Sequence, residues 1–167
     1  WQQKSGEYRA LAYQAYNLAH YKLDEALKVK KKLKPRCVLV DIDETVLDNS
    51  AFEGHELHKG VSYDQSDWNE WASKEQADTI PGAVGFLKYA AKRGIEVFYI
   101  SHRSTKAFAA TLKTLQQFCF PYADAKHVLL MDETSDKESR RKIVAKNYDI
   151  LLLCGDNRND VWEVFYL

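Results

Sequence analysis

Four short apolar runs, residues 37–40, 95–100, 128–131 and 150–154, punctuate an otherwise polar chain. Runs this short and largely apolar, interrupted only by Glu96 in the second, read as strands of a parallel sheet buried on both faces. The intervening segments 82–92, 106–117 and 137–146 are long enough for helices, and Pro81 sits where a helix would take a proline at its first position. Ahead of the first run, Tyr8, Leu11, Ala12, Ala15, Tyr16, Ala19, Leu23, Ala26 and Leu27 recur at three- and four-residue steps. That spacing predicts an amphipathic helix from 7 to about 33, capped by Ser5 and stopped before Pro35. Lysines at 28, 30, 31, 32 and 34 fall at its C-terminal end, where the helix dipole favours cations. Strand and helix alternate, so the predicted fold is α/β: a doubly wound parallel sheet with an N-terminal helix. Residues 49–80, between the first strand and its helix, are polar and aromatic and too long for an ordinary loop. They are expected to form a small cap insertion, with a helix near 67–74, inside one domain spanning 1–167.

Composition narrows the classes. With 167 residues, 46% hydrophobic and 29% charged, the chain suits one globular domain. Its 24 basic and 24 acidic residues cancel, so no overall field gathers nucleic acid or anionic membrane, and anion binding must be local. The lysine run has no interleaved aromatics and reads as a solvated helix end. No apolar stretch approaches a membrane span. The first residue is Trp, which suggests a trimmed N-terminus and a removed leader. Cys37, Cys119 and Cys154 form no CxxC pair and no even disulfide framework.

Ligands of open α/β sheets bind beyond the carboxyl ends of the strands, so the residues just past each apolar run matter most. Past the first run lie Asp41, Ile42, Asp43, Glu44 and Thr45, and past the second lie Ser101, His102 and Arg103. Lys137 comes after the third, and Gly155, Asp156 and Asn157 come after the fourth, with Asp160 beyond. Phosphoryl transfer needs an in-line nucleophile, fixed positive charge and an acid for the leaving oxygen. Asp41 and Asp43 are two residues apart, so in extended chain both carboxyls address one phosphorus: one attacks, the other protonates. Asp41, the Asp43 carbonyl and Asp156 suit magnesium, which takes few carboxylates and hard oxygen ligands. Ser101, His102 and Lys137 face the phosphoryl oxygens.

A lone DxD is weak, but the combination is specific. DIDETVLDNS from Asp41 and GDNRND from Gly155 resemble the opening and closing motifs of the class C acid phosphatases of the haloacid dehalogenase superfamily. The N-terminal WQQKSGEYRALAYQAYN, the DWNEW around Trp68 and Trp71, IPGAVGFLKY, VFYISHR and SDKESRR look like the same family in the same order. The resemblance implies a magnesium-dependent acid phosphatase for phosphate monoesters, including nucleoside 5′-monophosphates. It makes Asp41 the residue phosphorylated during turnover, Asp43 the acid and later the base, Ser101 and Lys137 phosphate ligands, and Asp156 a direct metal ligand. Asp160 would orient metal-bound water or the lysine. His102 stands where the family pattern carries a smaller polar residue. The resemblance further implies a small-molecule phosphomonoester as partner, no nucleic acid, a homodimer, and a bacterial periplasmic or outer-membrane location. A lipid anchor absent from this chain would be the sole membrane link, and the family pattern continues past Leu167.

Trp68 and Trp71, spaced i and i+3, are either core residues of one helix face or stacking partners for a substrate ring. His55 and His58 lack a third ligand of suitable spacing. His20 and His127 read as structural. Two rivals remain: a phosphotransferase that passes the phosphoryl group to an alcohol, and a non-catalytic surface binding protein on the same fold.

Overall fold

The computed structural model describes residues 1–29, 34–132 and 135–161. Helix α1 (Gly6–Leu27) opens on Ser5, whose side chain accepts the N–H groups of Glu7 and Tyr8 at 3.1 and 3.3 Å. It ends six residues before the expected 33, at a cap on Lys28, and residues 30–33 lie outside the described part. The Val29 N–H donates to the Ala26 carbonyl at 3.3 Å, a tightened bond of the kind that closes a helix, and Lys34 donates to the Ala145 carbonyl at 2.8 Å. Lys28, the first of the lysine run, is the cap, and the last turn of α1 itself carries no basic residue.

Strands β1 (Arg36–Val40), β4 (Glu96–Ser104), β5 (Val128–Met131) and β6 (Asp149–Cys154) form one parallel sheet in the order β5-β4-β1-β6. Their side chains alternate between two cores. Val38, Val40, Val97 and Tyr99 meet Tyr16 and Leu23 of α1, Phe86 and Leu87 of α4 (Ala83–Lys92), and Leu115 of α5 (Phe108–Gln117). Cys37, Leu39, Phe98 and Ile100 meet Val144 of α6 (Lys137–Asn147) on the opposite face. Helices thus cover both sides, as continuous apolar strands demand. The last helix among the described residues is the short α7 (Arg158–Val161).

Two details differ from the sequence expectation. β4 runs through Ser104, so Ser101, His102 and Arg103 belong to the strand end instead of lying past it. Gly82 is the residue before α4, which leaves Pro81 outside the helix.

Residues 49–80 carry α2 (Ser50–Lys59) and α3 (Gln65–Ser73), where one helix near 67–74 was expected. A two-stranded antiparallel ribbon, β2 (Leu47–Asp48) with β3 (Asp78–Thr79), closes the neck of the segment. Gly60 ends α2 at φ 68°, a left-handed conformation that side chains disfavour. Asp64 caps α3 through the N–H groups of Ser66 and Asp67.

Candidate active site

The carboxyl ends of β1, β4 and β6 converge, and α6 brings its first residue to the same rim. Asp41 directly succeeds β1 and is tied to the sheet by its N–H, which donates to the Cys154 carbonyl at 2.9 Å. Its side chain is buried, and Lys137 Nζ donates to Asp41 Oδ1 at 2.5 Å and also to Asp160 Oδ1. Burial pushes the Asp41 carboxyl up to about 7, against the pull of Lys137 and with Asp160 and Asp43 adding to the rise. Lys137 is itself 3% exposed, so this is a charge cluster held away from bulk water.

Asp156, after β6, and Asp160, on α7, complete the cluster. Carboxylate oxygens of Asp41, Asp156 and Asp160 lie within 4.8 Å of one another. Asp156 is the exposed member, and its carboxyl is raised by partial desolvation and by the neighbouring Asp160. Gly155 permits this approach: a Cβ there would lie 2.3 Å from the Asp160 Cβ. Asp160 is fixed by the Asn157 N–H, which donates to its Oδ2 at 3.0 Å, and by Arg141 Nη1, which donates to its carbonyl at 3.0 Å. Three carboxylates share one ammonium, so a divalent cation would balance the excess, and all-oxygen donors suit a hard ion. Asp160 offers a carboxylate within this cluster.

Asp43 faces a different set of partners. Arg103 Nε donates to its two oxygens at 3.0 and 3.1 Å and Arg103 Nη2 to Oδ1 at 2.8 Å. Asn49 Nδ2 donates to Oδ1 at 2.9 Å, and Ser101 Oγ to Oδ2 at 3.3 Å. Ser101 is fully buried and also accepts the Arg103 N–H at 3.0 Å, so here its hydroxyl serves Asp43. Next to it Glu44 sits at φ 55°, and burial pushes its carboxyl up to about 7 despite the hydrogen bonds from Asn49.

Two clefts meet at these residues. One of about 200 Å³ is lined by Asp41, Asp43, Glu44, His102, Lys137 and Asp156, with Asn157 and Asp160 at its edge. The other, about 360 Å³, runs past Asp43 between Tyr63, Gln65 and Trp68 on one side and His102, Arg103 and Ser135 on the other. His102 is exposed, and its Nε2 lies 2.8 Å from the Ser135 carbonyl. Although one edge of the ring is open to solvent, partial desolvation and then the Lys137 charge depress its imidazole.

Trp68 borders the second cleft, whereas the Trp71 indole N–H donates to Asn49 Oδ1 at 3.1 Å. His55 and His58 join no group of three potential ligands among the described residues. His20 packs on Phe86 and Tyr89, and His127 is buried between Asp124 and Glu96, both far from this rim in their contacts. Sequence reasoning had no place for Asn49, nor for Arg103 as the partner of Asp43. Their only trace was position: Asn49 lies inside the first motif and Arg103 next to His102.

Residues 1–164 match the family model described as HAD superfamily, subfamily IIIB (acid phosphatase). The chain is similar to the class C acid phosphatase from Bacillus anthracis, with 40% identity and a TM-score of 0.93 over 98% of this chain and 68% of that one. The crystal structure of that class C acid phosphatase with tungstate bound gives 39% identity and a TM-score of 0.92, with the same coverage. A chain of the Pnkp1/Rnl/Hen1 RNA repair complex, at 19% identity, shares the fold alone, with a TM-score of 0.54 over 80% of this chain and 39% of that one.

Proposed function

The chain belongs to the acid phosphatases of the HAD superfamily, subfamily IIIB, which are phosphomonoesterases, and on that premise we propose that it hydrolyses small phosphate monoesters by attack of Asp41 on phosphorus, with magnesium as cofactor. One observation carries this reading: Asp41 is buried at the end of β1 with Lys137 at 2.5 Å and the carboxylates of Asp156 and Asp160 beside it.

Asp41 Oδ forms a bond to phosphorus as the bond to the leaving oxygen breaks, and Asp43 delivers its proton to that oxygen. The Asp43 carboxylate then removes a proton from water, whose oxygen attacks the phosphoaspartate and releases phosphate and free Asp41. Lys137 supplies fixed positive charge beside Asp41 throughout. Asp41, Asp156 and the Asp43 carbonyl would hold magnesium, with Asp160 adjacent. When bound, the ion neutralises charge on the phosphoryl oxygens. A relative whose crystal structure has tungstate bound, a tetrahedral oxyanion like phosphate, supports the reading that this fold accepts a phosphoryl group.

The 360 Å³ cleft beside Asp43 offers room for a leaving group as large as a nucleoside, and residues 49–80 would act as the cap over it. The same family resemblance supports a bacterial periplasmic or outer-membrane location and a homodimer. Cell fractionation and light scattering test these two points.

The reading is tested by phosphate release from p-nitrophenyl phosphate. Wild type is expected to turn over and to lose activity reversibly on chelation. Asp41→Asn is expected to fold and lose at least about a thousandfold in kcat. Near-wild-type rates in Asp41→Asn would overturn it. Transfer to added alcohol in preference to water would favour a phosphotransferase.

A further inference from the structure

Trp68 and Trp71 sit one turn apart on α3, and each touches a different residue that grips Asp43. The Trp71 indole N–H donates to Asn49 Oδ1 at 3.1 Å. Because an indole N–H can only donate, it fixes which end of the Asn49 amide is oxygen, and the amide Nδ2 must then face the carboxylates. It does so: Asn49 Nδ2 donates to Asp43 Oδ1 at 2.9 Å and to Glu44 Oε2 at 3.4 Å, while the Asn49 N–H donates to Glu44 Oε1 at 2.9 Å. Asn49 is fully buried, so a misdirected amide would have no water to repair it.

The second arm runs through Arg103. Its guanidinium carbon lies 5.8 Å from the centre of the Trp68 ring, within cation–π range. The Arg103 side chain is 2% exposed and donates to both Asp43 oxygens, and its Nη1 donates to Thr111 Oγ1 at 3.3 Å. Phe52 joins the arms, with ring centres 5.3 Å from Trp68 and 5.9 Å from Trp71, so the three rings form one packed aromatic cluster. Oδ1 of Asp43 thereby accepts three hydrogen bonds of 3.0 Å or less, and Oδ2 accepts longer ones at 3.1 and 3.3 Å.

We propose that Trp71 and Trp68 are positioning residues: through Asn49 and Arg103 they hold Oδ1 of Asp43 and turn Oδ2 toward the leaving oxygen, so that α3 sets the geometry of proton transfer. This rests on the reading of Asp43 as the acid. Sequence spacing made the tryptophans core residues or stacking partners; this arrangement gives them work on a residue neither of them contacts. Proton transfer depends steeply on donor geometry, and the need for it grows as the leaving oxygen becomes more basic.

The test uses Trp71→Phe, which keeps an aromatic ring against Phe52 and removes the N–H together with part of the indole, and Trp68→Leu, which removes the face under Arg103. Steady-state kinetics are run with p-nitrophenyl phosphate and with 2-phenylethyl phosphate, an alkyl ester, and Asp43→Asn serves as the reference. Each tryptophan variant is expected to lose about tenfold in kcat on the alkyl ester, equivalent to one good hydrogen bond, and about threefold or less on the aryl ester. KM should stay within about twofold. Equal losses on both esters, no loss, or a raised KM with kcat intact would overturn the proposal, the last because it would make the indole a substrate contact. If Asp43→Asn discriminates between the esters and neither tryptophan variant does, the relay alone is wrong. If Asp43→Asn itself fails to discriminate, the acid reading falls and the relay with it.

Discussion

Glu56 on α2 is 5% exposed, and neither of its carboxylate oxygens has a hydrogen-bond partner among the described residues. A buried acceptor without a donor costs stability, and a charged one costs more. Glu56→Met, similar in volume and free of that cost, is therefore expected to raise Tm, by about 2–4 °C for each kcal/mol recovered in a chain of this size. A lower Tm in differential scanning calorimetry would show that the carboxylate has a compensating partner. Such residues mark the limit of what sequence conveys. Asp41, Asp43, Lys137 and Asp156 were legible because each comes after an apolar run and belongs to a motif. The pairing of Arg103 with Asp43 spans 60 residues and that of Lys137 with Asp41 spans 96, and no local pattern encodes either. Asn49 was hidden for the same reason: its value lies in Trp71, Asp43 and Glu44 meeting around one buried amide.

Secondary elements were legible in proportion to their apolar content. The four strands of the sheet fall on the four apolar runs, and β4 alone extends well beyond its run. α2 was missed because only Phe52 and Leu57 are large apolar residues in it, and Leu57 points to solvent, so no helical stripe forms. The two-residue strands β2 and β3 are too short for any alternation to register. At the end of the sheet opposite the site, the sheet elements are tied by a polar cluster. Glu96, at the start of β4, accepts from Lys126 Nζ and the Tyr148 hydroxyl at 2.8 Å and lies 2.8 Å from His127 Nε2. His127 Nδ1 lies 2.7 Å from Asp124 Oδ1. Burial alone would raise the Glu96 carboxyl, but the hydrogen bonds from His127, Lys126 and Tyr148 outweigh it and hold it at about 2, below an ordinary 4.5. A carboxyl depressed in the fold contributes stability above its unfolded value and loses it as pH falls toward the folded one. Wild-type Tm is therefore expected to drop between about pH 4.5 and pH 2 in part through this group, and Glu96→Gln should show a shallower drop across that window. Parallel curves for the two proteins would remove Glu96 from the acid response.

At the scale of the whole molecule, the sheet order places the ends of β1, β4 and β6 around one rim, and this placement assembles a phosphatase site from segments far apart in sequence. The formal charge is zero, so anion binding at the site must come from local groups such as Lys137. None of the described helices is long and apolar enough to cross a membrane. In the proposed mechanism Asp41 carries the phosphoryl group during turnover, and neighbouring groups, His102 included, only assist. Acid quench within the first turnover, then borohydride reduction and peptide mass analysis, reads this directly. The Asp41 side chain is expected to be the one reduced in wild type with substrate present, and no residue is expected to be reduced in Asp41→Asn. A phosphorylated His102 in a parallel alkaline quench, which preserves phosphohistidine, with Asp41 unreduced in the acid quench, or an unmodified chain under quench conditions that preserve acyl phosphates, would contradict it.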